Sequence, residues 1–144
     1  MTDAARAWAA RLAHVRLVGL VFVGGALGTA LRWVIEETWA RATGWPWATF
    51  VINVVGSFVL GALLERLARG GPDEGRRRAV RLACGTGVLG GFTTYSTFVL
   101  EVERLASDGE LARAFAYPVA SVALGVLAAG AGMTLARRAR GVVG

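Results

Sequence analysis

The residues best suited to chemistry stand together in one short stretch, GGFTTYSTF, from Gly90 to Phe98. Two adjacent glycines precede four hydroxyl residues, Thr93, Thr94, Ser96 and Thr97, interleaved with Tyr95 and Phe98. Elsewhere the chain offers no plausible nucleophile, base or metal cluster, which argues against an enzyme. What the stretch can do is bind ions. Gly90-Gly91 is the expected place for a helix to break, and a break frees carbonyl oxygens and amide hydrogens that lipid cannot satisfy. Freed carbonyls suit a hard cation. Hydroxyl and amide hydrogens, and the positive edges of aromatic rings, suit an anion. The stretch offers both. The competing reading is that the hydroxyls merely bond back to their own helix.

The elements that position this stretch follow from charge and hydropathy. The chain has 144 residues, 55% of them hydrophobic, and a mean hydropathy of +0.52. That length fits one domain, 1–144. Four long windows are nearly free of charge: 17–35, 47–64, 82–100 and 114–136. Each is near the roughly 20 residues that cross the hydrocarbon as a helix. The expectation is therefore an all-α integral membrane protein with four transmembrane helices. The first window follows Arg6, Arg11 and Arg16, as a signal peptide's core would. It is longer than such cores, and three more windows follow, so a retained first helix is expected.

All sixteen basic residues are arginines, and the formal net charge is +6. Their placement argues against nucleic acid. Three precede the first window, six lie from Arg66 to Arg81, and Arg137, Arg138 and Arg140 close the chain, making twelve. The other connections hold only Arg41, Arg104 and Arg113. This is the positive-inside pattern, placing both termini in the cytoplasm of a multi-pass protein of the inner or plasma membrane. Cys84, the only cysteine, excludes an intramolecular disulfide and reads as a small buried hydrophobe. His14 is assigned no role. Trp33, Trp39, Trp45 and Trp47 read as an interfacial belt.

Small residues stand four apart in every window: Gly24 and Gly28, Ser57 and Gly61, Gly87 and Gly91, Gly125 and Ala129. Such stripes let helix backbones approach closely in lipid. Four helices can barely enclose a path of their own while shielding Asn53, Ser57 and the hydroxyls of the central stretch, so an oligomer is expected. Arg32, the one charge inside the first window, either snorkels to the interface or faces an aqueous vestibule where it concentrates anions.

GGALGTALRW (Gly24–Trp33), WATFVINVVGSFVLG (Trp47–Gly61) and GGFTTYSTFVLE (Gly90–Glu101) closely resemble, in order and spacing, three signature stretches of the Fluc/CrcB fluoride channels. The resemblance covers nearly the whole chain. It implies an antiparallel, dual-topology dimer of four-helix subunits, each with a broken third helix, passively exporting fluoride to lower its toxicity. It also implies a structural Na+ at the dimer interface, held here by the main-chain oxygens of Gly90 and Thr93. The fluoride pathway would use Asn53, the ring edges of Tyr95 and Phe98, the neighbouring hydroxyls of Thr94, Ser96 and Thr97, and Tyr117 and Ser121. Glu101 matches an acid near the end of that track, and Arg32 the vestibule arginine.

Two features depart from the family pattern. Tyr95 stands where phenylalanine is usual, and Gly125 falls where a third hydroxyl would extend the track. The twelve-to-three arginine bias also suits one-way insertion, and so favours pairing with an oppositely oriented homologue over pairing with itself. Two rivals remain on residues alone. A proton-coupled multidrug or guanidinium exporter would want an acid deep in the first window, where this chain has Arg32. A non-transporting scaffold would have the small-residue stripes without GGFTTYSTF.

Overall fold

A computed structural model of the chain describes residues 3–39 and 44–139. Arg41 and Arg140, which enter the charge tally, lie outside them. The described residues are helical with no strand: α1 (Asp3–Trp39), α2 (Trp47–Ala68), α3 (Gly75–Val80), a π-helix (Arg81–Leu89), α4 (Gly90–Phe92), α5 (Ser96–Ser107) and α6 (Leu111–Arg138). The connection after α2 turns at Gly71, with φ 117°, and the one after α5 at Gly109, with φ 78°. Both values are accessible to glycine at little cost.

Three helical segments are long and apolar enough to cross a membrane: Arg11–Trp39, Trp47–Ala68 and Leu111–Arg138. The third apolar window, 82–100, is not one helix of spanning length. It runs as a widened π-helix, in which the Gly90 amide reaches back five residues to the Gly85 carbonyl. It then stops, with Thr93 extended at φ −76° and ψ 153°. A new helix starts at Ser96.

The break therefore lies at Thr93–Tyr95, three residues beyond the expected glycine pair. Gly90 and Gly91 are helical. The absent side chain at Gly91 serves close packing instead, because a Cβ there would collide with the Gly25 carbonyl.

Small residues set the packing throughout. A Cβ on Gly24 would strike the Ala83 carbonyl, and one on Gly28 the Val88 carbonyl. Residue numbers rise together along this contact, so α1 and the π-helix run parallel. Ser57 lies beside Gly125, Gly61 beside Ala129 and Glu65 beside Arg137, so α2 and α6 are parallel as well. Thr49 bonds Glu101 while Asn53 bonds Thr94, so α2 opposes the third run. The four apolar runs thus alternate in direction. Large side chains such as Phe22, Leu27, Val126 and Leu127 are exposed on the outer faces, as a lipid-facing surface requires.

At one end, Glu65 on α2 accepts from Arg69 at 2.6 Å and from Arg137 on α6 at 3.0 Å. Arg81 grips Asp73 at 2.7 Å, and that guanidinium holds the Asp73 carboxyl below its usual range.

The parallel glycine contact yields a direct test. Gly28→Leu should lower stability by about 1–3 kcal/mol, the usual penalty of overpacking. Gly19→Leu, on the same helix with nothing within 4 Å of its would-be Cβ, should change little. Thermal unfolding in detergent checks both, and equal behaviour would reject the parallel packing.

Candidate ion-binding site at the helix break

The break is held by one side chain. Asn53 on α2 donates from Nδ2 to the Thr94 carbonyl at 3.0 Å. Its Oδ1 accepts from the Thr94 amide at the same distance. Both main-chain groups of Thr94 are thereby satisfied without helix. Next along α2, Gly56 makes room for the Thr93 methyl, which a Cβ there would displace. The Thr93 hydroxyl bonds back to the Leu89 carbonyl at 2.9 Å. Thr94 Oγ1 accepts from the Thr97 amide at 3.2 Å and so caps α5. It also bonds the Thr97 hydroxyl at 3.1 Å and lies 3.4 Å from that of Ser96. The local-bonding alternative therefore describes Thr93, Thr94 and Thr97 in part.

These diversions decide which carbonyls are freed. In an uninterrupted α-helix the Gly90 carbonyl would accept from the Thr94 amide, and the Thr93 carbonyl from the Thr97 amide. Here those amides are engaged by Asn53 Oδ1 and Thr94 Oγ1. The two oxygens expected to hold a cation are thus among those whose helical donors are turned away. Hard oxygen ligands of this kind suit a small cation such as Na+.

A cleft of about 300 Å³ adjoins the break, lined by Asn53, Thr93, Thr94, Tyr95, Phe98, Ser121 and Val122. The Ser121 side chain is buried, and among the described residues its hydroxyl has no hydrogen-bond partner. A buried polar atom left so calls for a ligand or water. Phe98 packs between Tyr95, at a ring-centroid distance of 6.1 Å, and Tyr117, at 5.2 Å. Tyr95 itself is 78% exposed, so its hydroxyl points away from the packed interior of the subunit. Beside Gly125 lies the Ser57 hydroxyl, 3.5 Å from where a Cβ would stand.

Glu101 lies next to the cleft rather than in its lining. Its carboxylate accepts from the Thr49 hydroxyl and the Tyr117 hydroxyl, each at 2.7 Å. Thr49 and Tyr117 are fully buried. Sequence reasoning missed Thr49, Gly56 and Ser57 as site residues, yet Thr49, Asn53 and Ser57 recur at intervals of four. That spacing puts them on one helix face and is a readable signal.

Arg32 does not line the cleft. Its Nε donates to the Gly91 carbonyl at 3.3 Å, and its Nη1 contacts both Glu36 oxygens at 3.2 Å. With Thr29, whose hydroxyl reaches the same carbonyl at 3.4 Å, it satisfies an oxygen freed by the break. Its charge is shared with Glu36, which weakens the expected vestibule field. Trp45 also departs from the anchoring role, stacking edge-on against Tyr117 with centroids 5.5 Å apart. Trp33, Trp39 and Trp47 remain exposed, consistent with a belt.

Comparison with known proteins gives the chain's family. The profile of the CrcB-like, camphor-resistance protein family matches residues 19–133. The fluoride-specific ion channel FluC 1 of Cutibacterium acnes is 55% identical over 78% of this chain and 80% of its own length. FluC 2 of Leifsonia xyli subsp. xyli is 52% identical over 85% and 84%, respectively. FluC of Hyphomonas neptunium is 44% identical over 83% and 94%. Together with three helices of membrane-spanning length and composition, these matches identify a multi-pass membrane protein. The chain belongs to the CrcB-like family.

Proposed function

We propose that the chain is a subunit of a fluoride-specific channel that lets fluoride leave the cell passively and so lowers its toxicity. The observation that carries this reading is the break clamped at both ends of the Asn53 amide, beside the unpartnered Ser121 hydroxyl and the Phe98 ring. The activity in the relatives' names supports it.

Fluoride is the smallest halide and holds its water tightly, so a pore must substitute several donors at close quarters. The Asn53 amide retains a second hydrogen beyond the one given to Thr94. Ser121 supplies a hydroxyl, and Phe98 and Tyr95 supply the positive edges of their ring quadrupoles. Glu101 gathers the Thr49 and Tyr117 hydroxyls and fixes the end of this track. Ser57, beside Gly125, gives its hydroxyl hydrogen to the Asn53 carbonyl at 2.8 Å, so Gly125 leaves the track one donor shorter. The narrowness of such a path excludes larger halides.

The Gly90 and Thr93 carbonyls would hold Na+, which when bound supplies a positive charge against converging main-chain dipoles. The third run would cross as two half-helices meeting at the break, giving four crossings in all. Tyr95 and Val122, 78% and 64% exposed while lining the cleft, leave one flank of the path open. A second subunit in antiparallel orientation closes it. The described arginines outside Arg32, Arg104 and Arg113 gather at one end of the bundle, which favours one-way insertion and a homologous, oppositely oriented partner.

An exporter coupled to protons would need an acid poised in the membrane. Glu36 and Glu65 are ion-paired with arginines, and Glu101 is bonded to two hydroxyls.

Four outcomes test the proposal. Liposomes carrying the active assembly should lose fluoride quickly, without a proton gradient, and retain chloride. Phe98→Ile should reduce that efflux by at least tenfold while leaving assembly unchanged, and undiminished flux would remove Phe98 from the path. Exchanging Na+ for N-methylglucamine should lower the thermal stability of the dimer; no change would argue against the cation site. Expressed alone, the chain should fail to give a conducting antiparallel homodimer, and recovery of one would exclude the need for a homologue.

A further inference from the structure

The arginines divide into two groups. Arg32, Arg69, Arg81, Arg113 and Arg137 each hold a carboxylate within 4 Å. Arg16, Arg76 and Arg78 hold none among the described residues. These three converge instead on a single cavity of about 540 Å³, whose lining also includes Ala13, Leu17 and Ala79. It forms because α1 and the third run are parallel, which brings the chain just before the first apolar window beside the chain just before the third.

The lining is split by polarity. Three arginines line a shared space with no acid in the lining, and Asp73, near Arg78, is already held by Arg81, so their like charges favour a bound anion. Leu17 opens the first apolar window, and Ala13 and Ala79 are apolar neighbours. Guanidinium forks match phosphate oxygens in a planar, bidentate way. The cavity therefore offers phosphate chemistry where charged surface gives way to apolar helix, at the depth of lipid headgroups. A free phosphate would use the arginines and leave the apolar part unfilled, whereas a phospholipid uses both.

We propose that this cavity binds the headgroup phosphate of an anionic phospholipid, with Arg16, Arg76 and Arg78 as its ligands and the lipid's apolar part against Leu17 and Ala79. The site is remote in sequence from the helix break and stands whether or not the chain conducts fluoride. One anionic lipid so held bridges α1 to the segment that leads into the π-helix and reinforces the end of the bundle where the arginines collect.

The test uses the full chain in detergent, titrated with phosphatidylglycerol or phosphatidylcholine, with retained lipid read by native mass spectrometry. Wild-type protein should retain phosphatidylglycerol in clear preference. An arginine near a membrane surface contributes about fivefold in affinity, so R76Q/R78Q should weaken retention on the order of twentyfold. R11Q/R138Q removes equal charge from the same end without touching the cavity and should retain lipid as wild type does. Should R76Q/R78Q not fold, R16Q reads the same site with a loss of about fivefold. Three results would overturn the proposal: no preference between the two lipids, equal loss in R11Q/R138Q, or displacement of phosphatidylglycerol by millimolar inorganic phosphate. The last would mark a soluble-anion site.

Discussion

The two hydrogen bonds between the Asn53 amide and the main chain of Thr94, both 3.0 Å, satisfy the donor and the acceptor that the third run loses where its helix stops. In water such a break costs little, because solvent replaces the missing bonds. In hydrocarbon each orphaned group costs several kcal/mol, on the order of the whole stability of a small domain. Irregular backbone can therefore persist in a membrane protein only where protein groups or an ion complete the bonding. Here the accounting nearly closes within the subunit. Asn53 takes both groups of Thr94, Arg32 and Thr29 take the Gly91 carbonyl, and the Thr94 hydroxyl takes the Thr97 amide. The carbonyls of Gly90 and Thr93 are among those whose helical donors have been redirected. Which freed oxygens side chains take up, and which they leave, gives the break its chemistry.

Holding Asn53 in register with Thr94 depends on how closely helices approach. The glycines of α1 lie against the main chain of the π-helix and α4, with Gly87 Cα only 3.2 Å from the would-be Cβ of Gly24. On the other side, Gly56 admits the Thr93 methyl, while Gly61 and Gly132 bring α2 and α6 together. The broken run is thus wedged between two surfaces without side chains to spare. Backbone-to-backbone packing of this kind has few alternative arrangements, because glycine contacts cannot repack by rotamer change. The π-helix contributes as well, since its extra residue per turn rotates the chain beyond it and helps aim Thr93 at α2.

Much of this was legible in the residues. Three of the four apolar windows fall in helices of spanning length, and the small-residue stripes sit where helices meet. Glu101 and Tyr117, on successive helices, meet in a hydrogen bond. The place of the break could not be read. Propensity points to Gly90-Gly91, yet Gly91 is taken up by packing against Gly25, and the helix yields where a side chain from α2 competes for its amides. Such competition is a tertiary fact without local signature. One partner of Arg32 was hidden for the same reason. A half-buried arginine suggests a field acting on ions, while Glu36 lies one turn along the same helix and a freed carbonyl lies across from it. The i, i+4 spacing of Arg32 and Glu36 was visible; the carbonyl was not.

The arginine asymmetry and the open flank of the cleft bear on one another. If the path is completed by an antiparallel neighbour, that neighbour's like-numbered groups approach from the opposite face of the membrane. A homodimer then requires one sequence to insert in both senses, and a sequence with charge collected at one end is poorly suited to that. A partner of similar fold and reversed charge bias removes the conflict. It also relaxes the demand on each copy, because two non-identical subunits need not each present a complete set of ring edges and hydroxyls. Tyr95, exposed and carrying a hydroxyl that the subunit's interior does not accommodate, is tolerable if its surroundings are a different chain with a group shaped to receive it. That departure falls on the open flank, where a second sequence can compensate, whereas Gly125 faces Ser57 of the same chain, and Asn53 and the break it clamps remain intact.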